Sequence, residues 1–382
     1  MRKWTRGVFL LLVGVSTGAL AASAEAAGPV DLKRENFQKE IDGKQVDLYT
    51  LTNAKGMVVK ITNYGAKVEQ ILVPDRNGTL GDVALGYDGI DQVLTGQPSM
   101  GSFIGRYANR IGGGKFAIDG QPYQASLNDG PNSLHGGKKG SRFVVFDAKQ
   151  IDPQTVEMTY TYKDGEEGYP GTVPSRVVYK VTDDNALDIA FDATTDKPTI
   201  VNFTSHVFFN LAGEGNGSIL GHQLQVNAKS FTPVDSTLIT TGEIRPVKDT
   251  PLDFTSPQAV GARITSSYDQ LGFVKGYDHN FVIDKKPGEY GLMARVVEPV
   301  SGRVLEVYGT QPGIQFYSGN FLAGAVPKDQ GKGGHLYGLQ EAFCLEPQVF
   351  PDAPNKANFP SPVLRPGETY SGKIVFKFLT QN

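Results

Sequence analysis

Short segments in which polar and apolar residues alternate recur along the whole chain, and this pattern constrains the fold more than any other feature. In Thr155–Tyr162, valine, methionine and tyrosine occupy one face, and threonine and glutamate occupy the other. Because successive side chains of a strand point to opposite faces, this alternation predicts a strand with one buried face. Further candidate strands lie at residues 57–64, 66–73, 175–181, 186–193, 222–226, 281–283, 292–297, 303–308, 314–317 and 373–378.

Turn-forming sequences separate these segments, and long helical periodicity is missing. The chain contains 46 glycines and 23 prolines, which suits many tight connections between strands. Many short strands with frequent turns indicate an all-β sandwich or barrel. Since no linker or fixed-period repeat divides the sequence, we predict a single domain over residues 27–382.

The N-terminus has the pattern of a secretory signal peptide. Arg2, Lys3 and Arg6 precede an apolar run at residues 8–20, and a group of small residues follows. The run is short for a membrane span, and its order of basic, apolar and small residues is typical of a cleaved signal. We therefore predict a signal peptide over residues 1–26, with an approximate cleavage site, and a periplasmic or secreted product free of the membrane.

Charge and cysteine content exclude several classes of protein. Cleavage after Ala24 removes three of the 37 basic residues and leaves 34 against 40 acidic ones, a net charge of −6. That balance does not suit nucleic acid as a partner. Cys344 is the only cysteine, so no intramolecular disulfide forms.

No cofactor signal accompanies this composition. The five histidines lack the spacing of a metal site, and neither a phosphate-binding loop, a dinucleotide fingerprint nor a serine nucleophile elbow is found. We therefore expect no metal and no cofactor.

Residues 200–211 form a predicted strand with two unlike faces, and His206 lies on the unusual one. The first face is apolar and is interpreted as core: Val201, Phe203, Ser205, Val207, Phe209 and Leu211. The second face carries several hydrogen-bonding groups: Ile200, Asn202, Thr204, His206, Phe208 and Asn210. Buried polar groups are costly unless partnered, so this face predicts a cleft for a polar ligand. A core histidine satisfied by its neighbours explains the pattern equally well.

Other polar residues occur in settings that suit ligand binding, and each also has a plain structural explanation. His135 precedes two glycines, which allow close approach of a ligand but also make an ordinary turn. Asn109 and Arg110 provide directional hydrogen-bond donors, or solvated charges on a surface strand. Glu346 follows an apolar run, so it is either structurally paired or tuned as a base. Asp278 precedes a predicted strand, and Gln311 lies in a turn.

Taken together, these segments resemble the aldose 1-epimerase (galactose mutarotase) family in order and spacing over essentially the whole mature chain. The motifs are Asn-Arg-Ile at 109–111, Asn-Ser-Leu-His-Gly-Gly at 132–137, residues 204–211, Gly-Tyr-Asp-His at 276–279 and Leu-Glu-Pro-Gln at 345–348. Residues 164–171 and 231–254 are similar to that family as well.

The resemblance implies a large antiparallel β-sandwich that interconverts the α and β anomers of free aldohexoses such as glucose and galactose. It implies His206 as the general acid at the ring oxygen and Glu346 as the base at the anomeric hydroxyl. It further implies that His135 supports charge at the reacting centre or binds a hydroxyl. The residues it implies for holding the sugar are Asn109, Arg110, Asp278 and Gln311.

Some features fall outside the pattern or stay open. The loop at residues 325–337 is longer than the family's usual connection, which bears on the geometry between Gln311 and Glu346. From alternation we also expect Asn202, Thr204 and Asn210 to support the imidazole of His206. Alternative functions are a non-catalytic carbohydrate-binding sandwich, a hexose-6-phosphate 1-epimerase, and a glycoside hydrolase that would use Asp278 with Glu346.

Overall fold

Antiparallel β-sheet makes up most of the regular structure. The computed structural model describes Met1 and residues 28–286 and 288–381, so the predicted signal peptide lies outside the described residues apart from Met1. Within these residues, none of the helices has the length and apolar character needed to cross a membrane.

The strands of the first half of the chain are β1 (Lys39–Ile41), β2 (Lys44–Val46), β3 (Leu48–Thr52), β4 (Val58–Thr62), β5 (Lys67–Pro74), β6 (Leu80–Asp82), β7 (Phe103–Ile104), β8 (Arg110–Ile111), β9 (Lys115–Ile118), β10 (Gln121–Gln124), β11 (Ser133–Leu134), β12 (Asp147–Asp152), β13 (Thr155–Tyr162) and β14 (Val173–Val181). The remaining strands are β15 (Ala186–Ala193), β16 (Thr199–Ile200), β17 (Thr204–Ser205), β18 (Gln223–Val226), β19 (Ala228–Thr232), β20 (Arg245–Pro246), β21 (Gln258–Ala259), β22 (Asp278–Ile283), β23 (Gly291–Val297), β24 (Arg303–Gly309), β25 (Gly313–Tyr317), β26 (Cys344–Gln348), β27 (Val363–Leu364) and β28 (Tyr370–Thr380).

Helical structure is short. The α-helices are α1 (Ile90–Thr95) and α2 (Asp269–Val274). Single 3₁₀ turns occur at Arg34–Phe37, Gly112–Gly114, Ser141–Phe143, Glu166–Gly168, Val260–Ala262, Lys332–Gly334 and Ala353–Asn355. The prediction of an all-β fold is confirmed. The predicted strands at 155–162 and 186–193 match β13 and β15 at both ends.

Two large sheets share one core. The nine-stranded sheet has the order β12-β13-β14-β15-β28-β24-β23-β18-β21, and the five-stranded sheet has the order β20-β19-β22-β25-β26. Ile189 and Phe376 of the larger sheet and Phe281, Ile314 and Leu345 of the smaller one belong to the same buried cluster. The apolar faces of the two sheets therefore pack together, as in a sandwich, and the polar face of the five-stranded sheet is left for other contacts.

The prediction of one continuous strand over residues 200–211 is only partly right. The segment pairs briefly as β16 and β17, and it makes isolated bridges at Asn202 and Phe209. Both faces are buried throughout, rather than one. Because the segment runs between other elements, no single neighbouring strand accompanies it, and side chains supply part of its backbone bonding.

The loop at residues 325–337 is tied to the β5–β6 hairpin by a buried lysine. Lys332 is fully buried, and its Nζ donates hydrogen bonds to Asp82 Oδ2 (2.5 Å) and to the backbone oxygens of Glu69 (2.8 Å) and Ala84 (2.7 Å). A buried ion pair is tolerated when further hydrogen bonds satisfy both charges. The loop is thus anchored on β5 and β6.

Candidate active site

Three adjacent strands of the five-stranded sheet present a polar face. In β26, Leu345 points to the core, so Glu346 on the next position points to the opposite side. The same alternation places Gln315 of β25 and Asp278 of β22 on that side. Because Gln315 pairs in register with Glu346, and Asp278 lies one strand further, the three polar residues are neighbours across the sheet.

Hydrogen bonds connect most of this polar face into one chain. Gln348 Nε2 donates to Gln315 Oε1 (3.0 Å), and Gln315 Nε2 donates to Asp278 Oδ1 (2.7 Å). The Arg110 guanidinium lies 3.9 Å from Asp278 Oδ2 and donates through Nε to Asp129 Oδ2 (2.7 Å). These contacts orient the amides and hold the arginine over the sheet.

His206 reaches the same place from the buried segment that follows β17. Its backbone N–H donates to Ser102 O (2.9 Å), and its carbonyl accepts from Gly101 N–H (3.0 Å). The imidazole stacks on Phe208 with ring centroids 5.1 Å apart, and Nδ1 lies 3.4 Å from Cys344 Sγ. Its other nitrogen, Nε2, lies 3.6 Å from Glu346 Oε1. Contacts of the ring with Phe208 and Cys344 therefore direct its other nitrogen at the carboxyl group.

His135 is held by a short two-stranded ladder of β8 and β11. Arg110 pairs with Leu134 in that ladder, so Asn109 and His135 face each other at its end. Both residues have positive φ, 62° and 52°, a conformation that costs energy in residues other than glycine. The backbone N–H of Asn109 donates to His135 Nδ1 (3.2 Å), so the neutral ring carries its proton on Nε2. His135 is thus a fixed hydrogen-bond donor in the cleft.

Burial shifts the titration of these groups toward their neutral forms. Loss of hydration lowers the pKa of His206 to about 3 and lowers the pKa of His135 well below its ordinary value. The same loss raises the pKa of Glu346 well above that of an ordinary carboxyl group, with the nearby Asp278 adding to the rise. Burial therefore favours the uncharged forms of both His206 and Glu346.

The ligand atoms of His135, His206 and Glu346 all lie within 4.8 Å of one another, close enough for a metal ion. A histidine that binds a metal normally donates its second ring N–H to an acceptor. His135 Nδ1 instead faces a donor, the Asn109 N–H, so its free nitrogen keeps its proton. The donor set therefore fits proton transfer better than metal binding.

These groups line a cavity of about 160 Å³. Its walls are formed by Gln97, Ser99, Asn109, Arg110, Leu134, His135, His206, Phe208, Asp278, Tyr317, Phe321 and Glu346. Wider depressions of about 450 and 470 Å³ lie elsewhere on the surface, next to Glu35 and Lys115. Neither has buried titratable groups that converge as they do here.

Of the seven residues expected from the sequence to act in catalysis or binding, the structure brings six together and separates the seventh. Gln311 lies in the turn between β24 and β25, and it is not among the cavity-lining residues. Its amide lies so close to Gly309 and Gly372 that a Cβ at either glycine would clash with it. Gln315, four residues later, occupies the polar face instead. The alternation of polar Gln315 with apolar Ile314 and Phe316 in a predicted strand is the signal that identifies it.

The polar residues beside His206 also have a different role from the one expected. Asn202 binds the backbone of Ala108 and Val349, and Asn210 binds the backbone of Gly217 and Glu341. Neither contacts the imidazole, and Thr204 Oγ1 has no partner among the described residues. These asparagines bond to the backbone of neighbouring segments, and in this way they fix the segment that carries His206.

Comparison with known proteins agrees with this geometry. The family model for aldose 1-epimerase matches residues 47–377. Galactose mutarotase from Bos taurus is 41% identical over 344 residues, which cover 90% of this chain and 94% of that protein. Aldose 1-epimerase from Escherichia coli K12 is 35% identical over 342 residues, 89% of this chain and 97% of that protein.

Solved structures agree as well. The GalM/aldose epimerase homologue from C. elegans has a TM-score of 0.80 at 32% identity, and the match covers 88% of this chain and 100% of that one. Since the family model spans most of the sequence and relatives above 30% identity cover nearly all of it, the chain belongs to the aldose 1-epimerase family.

Proposed function

We propose that this chain interconverts the α and β anomers of free aldohexoses through acid–base ring opening and closure. The observation that carries the proposal is the buried pair of His206 Nε2 and Glu346 Oε1, 3.6 Å apart, in a cleft lined by fixed hydrogen-bonding groups. The names of the relatives, galactose mutarotase and aldose 1-epimerase, support the same reaction.

The reaction needs one group that accepts a proton and one that donates a proton. Glu346 removes the proton from the anomeric hydroxyl, the bond between C1 and the ring oxygen breaks, and His206 protonates the departing oxygen. The product is the neutral open-chain aldehyde. After rotation about the C1–C2 bond, the same two groups act in reverse, and the ring closes on the other face.

The charge state of the pair fits this cycle. The reaction uses one proton that moves between the two groups: burial favours this proton on Glu346, whereas the opening step starts with it on His206. Moving it converts two neutral groups into an ion pair without changing their total charge. The attraction between the charges at 3.6 Å and the hydrogen bonds of a bound sugar offset the cost of separating them.

The remaining cleft residues have clear roles around a polyol. His135 offers its Nε2 proton to a sugar oxygen, and Arg110 and Asn109 supply further donors. Asp278 offers an acceptor for hydroxyls, and the 2.7 Å hydrogen bond that Gln315 donates to its Oδ1 orients it. Because protein bonds orient these groups before binding, little order has to be imposed when the sugar enters.

The charge of the cleft argues against a phosphorylated sugar. Among the cavity-lining residues of the described chain, Arg110 is the one permanent cation, and it is already engaged by Asp129 and Asp278. A phosphate group requires an uncompensated basic pocket. The free sugar is therefore the favoured substrate.

Replacement of Glu346 by glutamine tests the mechanism. Removal of the base is expected to slow enzymatic mutarotation of fresh α-D-glucose or α-D-galactose by about 10²–10⁴-fold, measured by polarimetry. Glu157→Gln on β13 is the matched control, since Glu157 pairs with Arg176 outside the cleft. Equal rates for Glu346→Gln and wild type would refute the mechanism. Sugar binding by wild type with no acceleration would identify a lectin, and release of reducing ends from a glycoside would identify a hydrolase.

The pH profile reports on the shared proton. Addition of a second proton to the pair is resisted by burial, which lowers the pKa of His206 to about 3. Loss of the shared proton is resisted by the same burial, which raises the pKa of Glu346. We expect a bell-shaped dependence of kcat/KM on pH, with its acid limb well below pH 6.5. Because the two groups titrate together, the two apparent pKa values describe the pair and not either residue alone. Polarimetry with buffer blanks subtracted measures it, and an acid limb near 6.5 would contradict a buried imidazole.

Gln315 and Gln311 can be compared directly. Loss of the Gln315 amide removes a hydrogen bond at the cleft, so Gln315→Ala is expected to raise KM by about ten-fold. Gln311→Ala is expected to leave KM unchanged, because its side chain lies between β24 and β28. Steady-state kinetics on folded samples of matched melting temperature make the comparison. A larger rise in KM for Gln311→Ala would restore Gln311 as a binding residue.

We also propose that the chain is exported and is periplasmic or secreted, on the N-terminal order of basic, apolar and small residues. Expression of the whole chain in a Gram-negative host is expected to yield a product that begins at Glu25 or Ala27, as read by N-terminal sequencing. Recovery of uncleaved protein from the cytoplasm would refute export.

A further inference from the structure

Residues 97–99, which we call the rim segment, form part of the cleft wall without regular secondary structure. The rim segment consists of Gln97, Pro98 and Ser99 and connects α1 with the region before β7. Gln97 and Ser99 both line the cavity that holds His206 and Glu346. The proposed mechanism assigns no role to either residue.

Buried side chains fix the backbone of the rim segment. The Nζ of fully buried Lys67 donates to the carbonyl of Pro98 and to Ser102 Oγ (2.6 Å). Arg142, also buried, donates to Ser99 Oγ (2.9 Å). The backbone N–H of Gln97 donates to the hydroxyl of Tyr87 (2.5 Å). Burying a lysine and an arginine is costly, so their use beneath one short surface turn indicates that its position matters.

The long loop at residues 325–337 fixes the side chain of Gln97. Fully buried Asp329 accepts the Gln97 Nε2–H through Oδ1 at 2.9 Å. Its other oxygen, Oδ2, accepts the backbone N–H groups of Ala323 and Ala325, each at 3.1 Å. Lys332 anchors the same loop, so the backbone that carries Asp329 is also held in place.

This contact determines which end of the Gln97 amide faces Asp329. Both oxygens of Asp329 accept hydrogen bonds from N–H groups, so the NH₂ end of the Gln97 amide faces Asp329. The carbonyl oxygen Oε1 then points away from Asp329, and no donor among the described residues bonds to it. Gln97, which lines the cleft together with the donors Arg110 and His135, thus has an oriented acceptor that no described donor occupies.

We propose that Gln97 is a substrate-binding residue whose Oε1 accepts a hydrogen bond from one sugar hydroxyl, and that Asp329 is the positioning residue that orients it. This inference rests on the proposed function and extends it to a second wall of the cleft. An acceptor at this point favours a hydroxyl, which donates, over an anionic substituent. The long loop would then contribute to substrate binding through Asp329.

A thermodynamic cycle between protein and sugar tests the contact. Gln97→Met, which keeps the side-chain length but replaces the amide oxygen by a thioether, a much weaker acceptor, and Gln97→Ala are compared with wild type on galactose, glucose and their monodeoxy analogues. We expect kcat/KM to fall about ten-fold, mostly through KM. For the deoxy sugar that lacks the hydroxyl bound by Gln97, kcat/KM is already low with wild type. The variants should not lower it further, because the same hydrogen bond is already absent. Gln121→Ala, on the exposed β9–β10 hairpin, is the control.

Asp329→Ala separates positioning from general destabilisation. If Asp329 acts through Gln97, Asp329→Ala should lower kcat/KM for the same sugars as Gln97→Met. It should likewise have no further effect on the one deoxy sugar that lacks the hydroxyl bound by Gln97. A purely structural role would instead lower the melting temperature and weaken all sugars alike. That result would remove Asp329 from the proposal.

The same cycle is measured on binding by calorimetry, which requires no turnover. One outcome is that wild type catalyses mutarotation, but the Gln97 substitution and the removal of each hydroxyl lower affinity independently of one another. That outcome would overturn the role of Gln97 and leave the proposed function standing. Binding that depends on Gln97 without any mutarotation would overturn the proposed function and keep this contact. Absence of sugar binding would overturn both.

Discussion

The cost of burying a polar group without a partner is the constraint on which the cleft depends. Glu346 and Asp278 lie on an interior sheet face, where an unsatisfied donor or acceptor costs about 1–3 kcal/mol. Protein bonds accordingly pair Gln348 with Gln315 and Gln315 with Asp278. Glu346 Oε2 and Gln348 Oε1 are left without partners among the described residues. A ligand rich in hydroxyl groups can satisfy such atoms, and an apolar ligand cannot.

The same constraint explains the irregular segment that carries His206. A chain buried on both faces needs partners for every backbone N–H and C=O, and the sheets on either side supply only a few. Tyr370 and His222 supply more by accepting the backbone N–H groups of Phe203 and Leu211. The side chains of Asn202 and Asn210 in turn bond the segment to the backbone of its neighbours. The segment is therefore held rigidly without being a strand, and His206 inherits that rigidity through its own backbone bonds to Ser102 and Gly101.

The alternation of polar and apolar residues predicted those strands whose burial depends only on their two faces. Alternation identified β13 and β15 to the residue, because each is an interior strand of one sheet with a simple two-faced environment. It failed on residues 200–211, whose environment is buried on both sides by elements distant in sequence. Motif resemblance brought His135, His206 and Glu346 to one site. It missed Gln315, since choosing between glutamines four residues apart requires the register of β25 against β26. The placement of Asp329 beside Gln97 joins segments 232 residues apart and has no local signal.

Charge balance inside the cleft ties the chemistry to the kind of substrate. Arg110 pairs with Asp129 and lies 3.9 Å from Asp278, whose pKa is raised by burial, the ring of His135 is fixed by Asn109, and burial favours the uncharged forms of His206 and Glu346. Each titratable group is thus held so that proton movement within the pair changes no total charge. An anionic or cationic substrate would break this balance in a low-dielectric setting, where an unpaired charge is expensive. A neutral polyol does not, and its hemiacetal offers one proton to remove and one oxygen to protonate. The burial that shifts the pKa values of His206 and Glu346 therefore also selects for uncharged sugars.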